Sequence, residues 1–112
     1  MNQSIGSSKQ LEREEDTYSL LIAEKYPVND VVIRFKTHYK LTVARKDDYL
    51  VSENNVFNTC NAGITEQKLI SDFIEDLFFA WKVYVDCSED ELSEHAKIFR
   101  SNLQKWITVD AL

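Results

Sequence analysis

The chain is short of the residues that loosen or break a fold. It has one proline and two glycines in 112 residues, which leaves no room for a Gly-rich phosphate loop or a long flexible linker. No run of ~18 apolar residues occurs, so no transmembrane helix is predicted. The opening MNQSIGSSKQLEREED carries no apolar signal core, and the expected location is the cytoplasm. The two cysteines, Cys60 and Cys87, stand far apart without a CxxC spacing. In a reducing compartment they read as free thiols rather than a disulfide. The two histidines, His38 and His95, have no spacing to either cysteine that supports a Cys–His dyad or a zinc site. P-loop, GxGxxG, HExxH and EF-hand patterns are all missing. These absences lead to the expectation of a non-enzyme with no metal and no cofactor.

What is present suffices for one domain, 1–112, with residues 1–10 expected to be flexible. Hydrophobic residues make up 44% and aromatics 12%, and the stretch TEQKLISDFIEDLFFAWKVYV, Thr65 to Val85, concentrates them. At 100° per residue Ile70, Phe73, Ile74, Leu77, Ala80, Trp81 and Tyr84 form one broad stripe. Thr65 is the expected N-cap, with Ile64 and Leu69 as a staple across it. The opposite face carries Lys68, Asp72, Glu75, Asp76, Lys82 and Asp86, with Phe79 alone in its middle. A second helix is expected from Ser88, whose side chain and Glu91 form a capping box, with Cys87 and Leu92 as the staple. Its stripe is Leu92, Ala96, Phe99, Leu103 and Trp106.

Upstream, Ser7 and Gln10 form another possible capping box. Leu11, Tyr18, Leu21, Ile22 and Lys25 then share a helical face, strongest over Thr17 to Lys25, and Pro27 ends that helix. Between Val31 and Val51 the apolar residues alternate: Val31, Ile33, Phe35, Tyr39, Leu41, Val43 and Val51 against Arg34, Lys36, His38, Lys40 and Thr42. A three-residue loop at Lys36–His38 pairs Phe35 with Tyr39, and another at Lys46–Asp48 pairs Val43 with Val51. Leu50 and Val32 then intrude on a basic outer face. Val56 to Cys60 adds a short fourth strand at most. The predicted fold is α+β: an N-terminal helix, a three-stranded antiparallel β-meander, then two C-terminal helices packed on the sheet.

The net charge of −6 is unevenly spread. Residues 31–46 hold Arg34, Lys36, Lys40, Arg45 and Lys46 and no acid, whereas residues 47–95 hold twelve acids against Lys68 and Lys82. An acidic whole argues against direct nucleic-acid or anionic-membrane binding and for a protein partner, while the basic segment 31–46 leaves open a local phosphate or acidic-partner contact. The acids Asp72, Glu75, Asp76 and Asp86, then Glu89, Asp90, Glu91 and Glu94, lie on two successive predicted helices and their connection. With Phe79, an exposed aromatic suited to anchoring a contact, they are the candidate partner-binding residues.

Tyr49-Leu50-Val51-Ser52-Glu53, followed by a helix with Leu69-Ile70-Ser71 and Phe73, then Trp81, Tyr84 and the acidic segment from Asp86 to Glu91, resembles small phage-encoded anti-CRISPR proteins. The resemblance spans Leu41 to Phe99. It implies a compact α/β inhibitor whose acidic surface fills the DNA-recognition groove of an RNA-guided nuclease. Glu89, Asp90, Glu91 and Glu94 would then stand in for phosphates, with Asp72, Glu75 and Asp76 secondary. Two other readings use the same features. An immunity or adaptor protein would turn the acids toward a basic partner. A self-assembling protein or homodimer would use Phe79 and an exposed sheet edge.

Overall fold

The structure is a computed structural model and describes residues 16–112. The Ser7–Gln10 capping box, Leu11 and the expected flexibility of residues 1–10 lie outside the described residues. The chain is α+β, but strands precede helices. It runs β1 (Thr17–Ile22), β2 (Lys25–Val28), β3 (Val31–Phe35), β4 (Tyr39–Lys46), β5 (Tyr49–Asn54), β6 (Thr59–Gly63), α1 (Glu66–Tyr84), a 3-10 turn (Glu89–Glu91), α2 (Glu94–Trp106) and β7 (Ile107–Ala111). Two antiparallel sheets result, one ordered β1-β4-β5-β6 and the other β2-β3-β7.

This overturns the predicted N-terminal helix and three-stranded meander. Thr17 to Lys25 is not helical: Tyr18, Leu20 and Ile22 turn inward from β1, and Thr17, Ser19 and Leu21 turn outward. Leu21, left exposed on the outside, is the residue that imitates a helical stripe. Pro27 does not end a helix but sits in β2 at a sheet edge, where its missing N–H leaves no ladder bond unmade.

Nor do β3 and β4 form a hairpin. The alternation of Ile33, Phe35, Tyr39, Leu41 and Val43 does mark the buried side, yet β3 pairs with β2 and β7 while β4 pairs with β1 and β5. At Lys36–His38 the chain steps from one sheet to the other. There Phe35 N–H donates to the Glu24 carbonyl at 2.7 Å and Lys36 N–H to the Trp106 carbonyl at 2.9 Å. The β4–β5 turn is one residue shorter than predicted. Ala44 pairs with Val51 and Lys46 with Tyr49, and Asp47 adopts the left-handed conformation at φ 51°. A one-residue slip exchanges faces, so Leu50 is buried in the core rather than intruding on the outer face.

The fourth strand also lies further on than Val56–Cys60. Residues 55–58 turn, and β6 carries Asn61, Ala62 and Gly63. A Cβ on Gly63 would lie 3.0 Å from the Leu69 backbone nitrogen, so glycine there lets β6 pass close beneath the first turn of α1. Helix α1 matches its prediction in span and face. Thr65 Oγ1 accepts from Lys68 N–H at 3.1 Å, and Leu69, Phe73, Ile74 and Leu77 are buried. The staple does not form, because Ile64 is 80% exposed.

The core joins both sheets and both helices: Ile22, Leu41 and Leu50, Ile33 and Ile107, Leu69 and Leu77, and Leu103. Each large apolar side chain so buried contributes ~1.5–3 kcal/mol.

Candidate protein-binding surface

The predicted site residues fall into three groups. The first consists of acids already engaged within the fold. Asp72 Oδ1 accepts from Lys68 Nζ at 3.0 Å, one helical turn away. That bond, with the Asp72 charge behind it, holds the Lys68 ammonium above its ordinary value. Asp76 Oδ2 accepts from the side-chain amide of buried Asn61 on β6 at 2.7 Å, tying α1 to the edge of the larger sheet. These two carboxylates shape the helix–sheet junction. Glu75, exposed between them, borders a shallow groove of about 520 Å³ between β2 and α1, floored by Tyr26, Val28, Ile70 and Ile74.

The second group is apolar. Phe79 is 70% exposed and Val83, one turn further on, 49%. With Ala80 and Tyr84 they overhang Phe57, Thr59 and Cys60 and form an open groove of about 290 Å³ beside β6. Sequence reading placed Phe79 on the polar face correctly but did not include Val83. The i, i+4 spacing was the available signal.

The third group is the connection between the helices. Here the structure corrects the predicted capping box. Ser88 makes no side-chain cap bond, and Glu89–Glu91 form a 3-10 turn rather than a helical first turn. The true N-cap is Ser93, whose Oγ accepts from Ala96 N–H at 3.1 Å. Asp86, Glu89, Asp90, Glu91 and Glu94 are all exposed. Residues 86–94 hold those five acids and no base. Among the described residues one of the five has an ion pair: Glu94 Oε1 lies 3.6 Å from Lys97 Nζ. A negative field therefore reaches solvent over the whole connection.

The basic segment does not form a matching patch. Arg34 Nη1 lies 3.9 Å from Glu24, the Lys36 ammonium donates to the Gln104 carbonyl, and the Arg45 guanidinium sits 5.2 Å over the Tyr18 ring. Lys40 and Lys46 remain on the outer face of the larger sheet among Thr42, Ala44 and Glu53. Among the described residues no group of three His, Cys, Asp or Glu side chains is placed to hold a metal ion. Cys60 and Cys87 are both free thiols. No described helix is long and apolar enough to cross a membrane.

No protein-family profile, curated protein or solved structure matches the chain.

Proposed function

We propose that this chain is a binding protein without catalytic activity that engages a basic protein surface through Asp86–Glu94. The observation that carries the reading is the uncompensated charge there: five exposed acids, no base, and one ion pair. Exposed like charges held together without neutralising neighbours repel one another. A basic partner relieves that repulsion and is drawn in by the long-range field.

The narrower form follows the resemblance to anti-CRISPR proteins: an inhibitor of a nucleic-acid-binding protein, with Glu89, Asp90 and Glu91 occupying positions that phosphates otherwise take. Basic grooves that bind nucleic acid are lined for regularly spaced negative charge, and this segment supplies such charge on a compact scaffold.

The test is capture of partners on immobilised full-length chain at low and high salt, with the triple variant Glu89→Lys, Asp90→Lys, Glu91→Lys as control. The expected result is a basic protein that salt releases and the variant binds at least tenfold more weakly, which is about 1.4 kcal/mol. Duplex DNA added in competition displaces that protein if the inhibitor reading is right. Capture that neither salt nor charge reversal alters would sink the acidic-surface reading altogether.

A further inference from the structure

Strand β6 is the outermost strand of the larger sheet. It pairs with β5 on one side and with no strand among the described residues on the other. An open edge offers N–H and C=O groups to an added strand, and such edges are commonly guarded by charge or proline. β2 carries Lys25 and Pro27 and β7 carries Asp110, whereas β6 reads TCNAG.

The charge at this edge comes from α1. Asp76, half-buried, lines the groove beside β6 together with Phe57, Phe79 and Tyr84. Its Oδ2 accepts from the side-chain amide of Asn61, a neutral donor. Among the described residues no ion pair reaches Asp76. The two cations of α1 are engaged elsewhere: Lys68, beside Gly63 at the end of the strand, is bonded to Asp72, and Lys82 sits 5.0 Å over the Phe78 ring. Thr59, on the same lining, has a buried hydroxyl with no hydrogen-bond partner among the described residues. A half-buried carboxylate beside aromatic rings, with no counterion, is short of a cation.

We infer that β6 and this groove form a docking site for an extended segment of a basic partner, with an arginine at its centre. The segment adds to the open edge as a further strand, a mode in which main-chain bonds supply affinity and a side-chain pocket supplies specificity. Asn61 is the middle residue of β6. The side chain directly opposite it stands on the same face, with Cβ atoms ~4.5–5.5 Å apart. Because Asn61 is bonded to Asp76, that side chain arrives beside the carboxylate, at the groove that Phe79 overhangs. Arginine suits it better than lysine, since a planar guanidinium both donates to a carboxylate and stacks on an aromatic face. The groove, at about 290 Å³, accommodates a single side chain rather than a larger ligand. Charge selects the occupant. A chain of net charge −6 attracts a basic segment, whereas a second copy centred on Asn61 brings Asp76 against its own equivalent. The site is separate from Asp86–Glu94, and the inference does not rest on that surface.

The experiment is a heteronuclear NMR titration of the isotope-labelled full chain with the capped peptide Thr-Val-Arg-Val-Thr. The expected result is saturable shift changes at residues 59–63 and at Phe79. The same peptide with citrulline, an uncharged near-isostere, in place of arginine binds at least tenfold more weakly. Asp76→Asn keeps an acceptor for Asn61 and also lowers affinity for the arginine peptide at least tenfold, with an unchanged melting temperature as the check on folding. The citrulline comparison uses the native chain and does not depend on that variant. Absence of binding, equal binding of the two peptides, undiminished binding to folded Asp76→Asn, or shifts that map to residues 86–94 instead overturns the inference. Concentration-dependent shifts on β6 before peptide is added assign the edge to a second copy and overturn it as well.

Discussion

Tyr39 is the residue at which the two sheets and both helices meet. Its ring stacks on Phe35 with centroids 5.7 Å apart and on Phe73 at 6.3 Å, and it meets Trp106 edge-on at 4.9 Å. Its hydroxyl accepts from the Asn54 side-chain amide, and the Asn54 carbonyl oxygen in turn accepts from Phe57 N–H at 2.9 Å. Burial raises the phenol above its ordinary value near 10, and the Asn54 hydrogen bond offsets part of that. The folded state thus holds this proton more tightly than the unfolded chain. The resulting stabilisation is complete below the ordinary tyrosine range and is lost as pH rises through the raised value. Urea denaturation over an alkaline series should therefore show stability falling above pH ~10 more steeply in the native chain than in Tyr39→Phe. Tyr18 is also raised, by burial and by its bond to Glu66, and is common to both chains. Parallel curves would mean that Tyr39 ionises without opposing the fold. Alternation along the sequence put Tyr39 inside. It could not say that Trp106 would be its closest ring partner, because that contact depends on where α2 ends.

At the scale of elements, periodicity was informative in proportion to length and burial. Helix α1 runs for 19 residues with one consistent apolar face, so its extent, cap and polar face were all readable. The strands from Val31 to Asn54 were readable as strands, but alternation encodes which face is buried and not which neighbour is paired. That is why β3 was given to β4 instead of to β2 and β7. The signal for β2–β3 was nonetheless present. Val28 and Val31 flank Asn29-Asp30, and Asn29 takes φ 54°, a conformation asparagine tolerates in tight turns. The start of α2 offers a direct comparison of the two readings. Ser88 has the better capping box on paper. A helix extended back from Glu94 to that point, however, would set Asp90 and Glu91 against Glu94 at repulsive i, i+4 and i, i+3 spacings. Ser93→Ala should cost about 1 kcal/mol, whereas Ser88→Ala should stay within ~0.5 kcal/mol, both measured by chemical denaturation. The opposite order would return the helix start to Ser88.

For the molecule as a whole, the step at Lys36–His38 and the return of β7 to β3 leave no sheet able to melt alone. Ile107 is fully buried at the junction of α2 and β7 and pairs with Phe35. Ile107→Ala should cost ~2–5 kcal/mol, with tryptophan fluorescence and helical circular dichroism shifting together in one transition. Separate transitions would show two independent halves. Part of the candidate surface was legible at this scale, because an excess of acids over Asp86–Glu94 is read directly from residue types. The internal engagement of Asp72 and Asp76 was not, since it depends on β6 lying alongside α1. The exposed edge of β6 was not legible either, because TCNAG is too short and too polar to stand out as a strand.

The position of β7 also imposes an order in time. Synthesis delivers Val31–Phe35 early, while the strand that completes its sheet, Ile107–Ala111, is among the last described residues to be made. Until Ile107–Ala111 is made, the apolar strand VVIRF has one neighbour and one open side. Such a segment is prone to pair with other nascent chains. A message truncated before the codon for Ile107 would therefore not yield a slightly trimmed protein. It would yield one whose smaller sheet stays permanently open, and its fate would be aggregation or proteolysis.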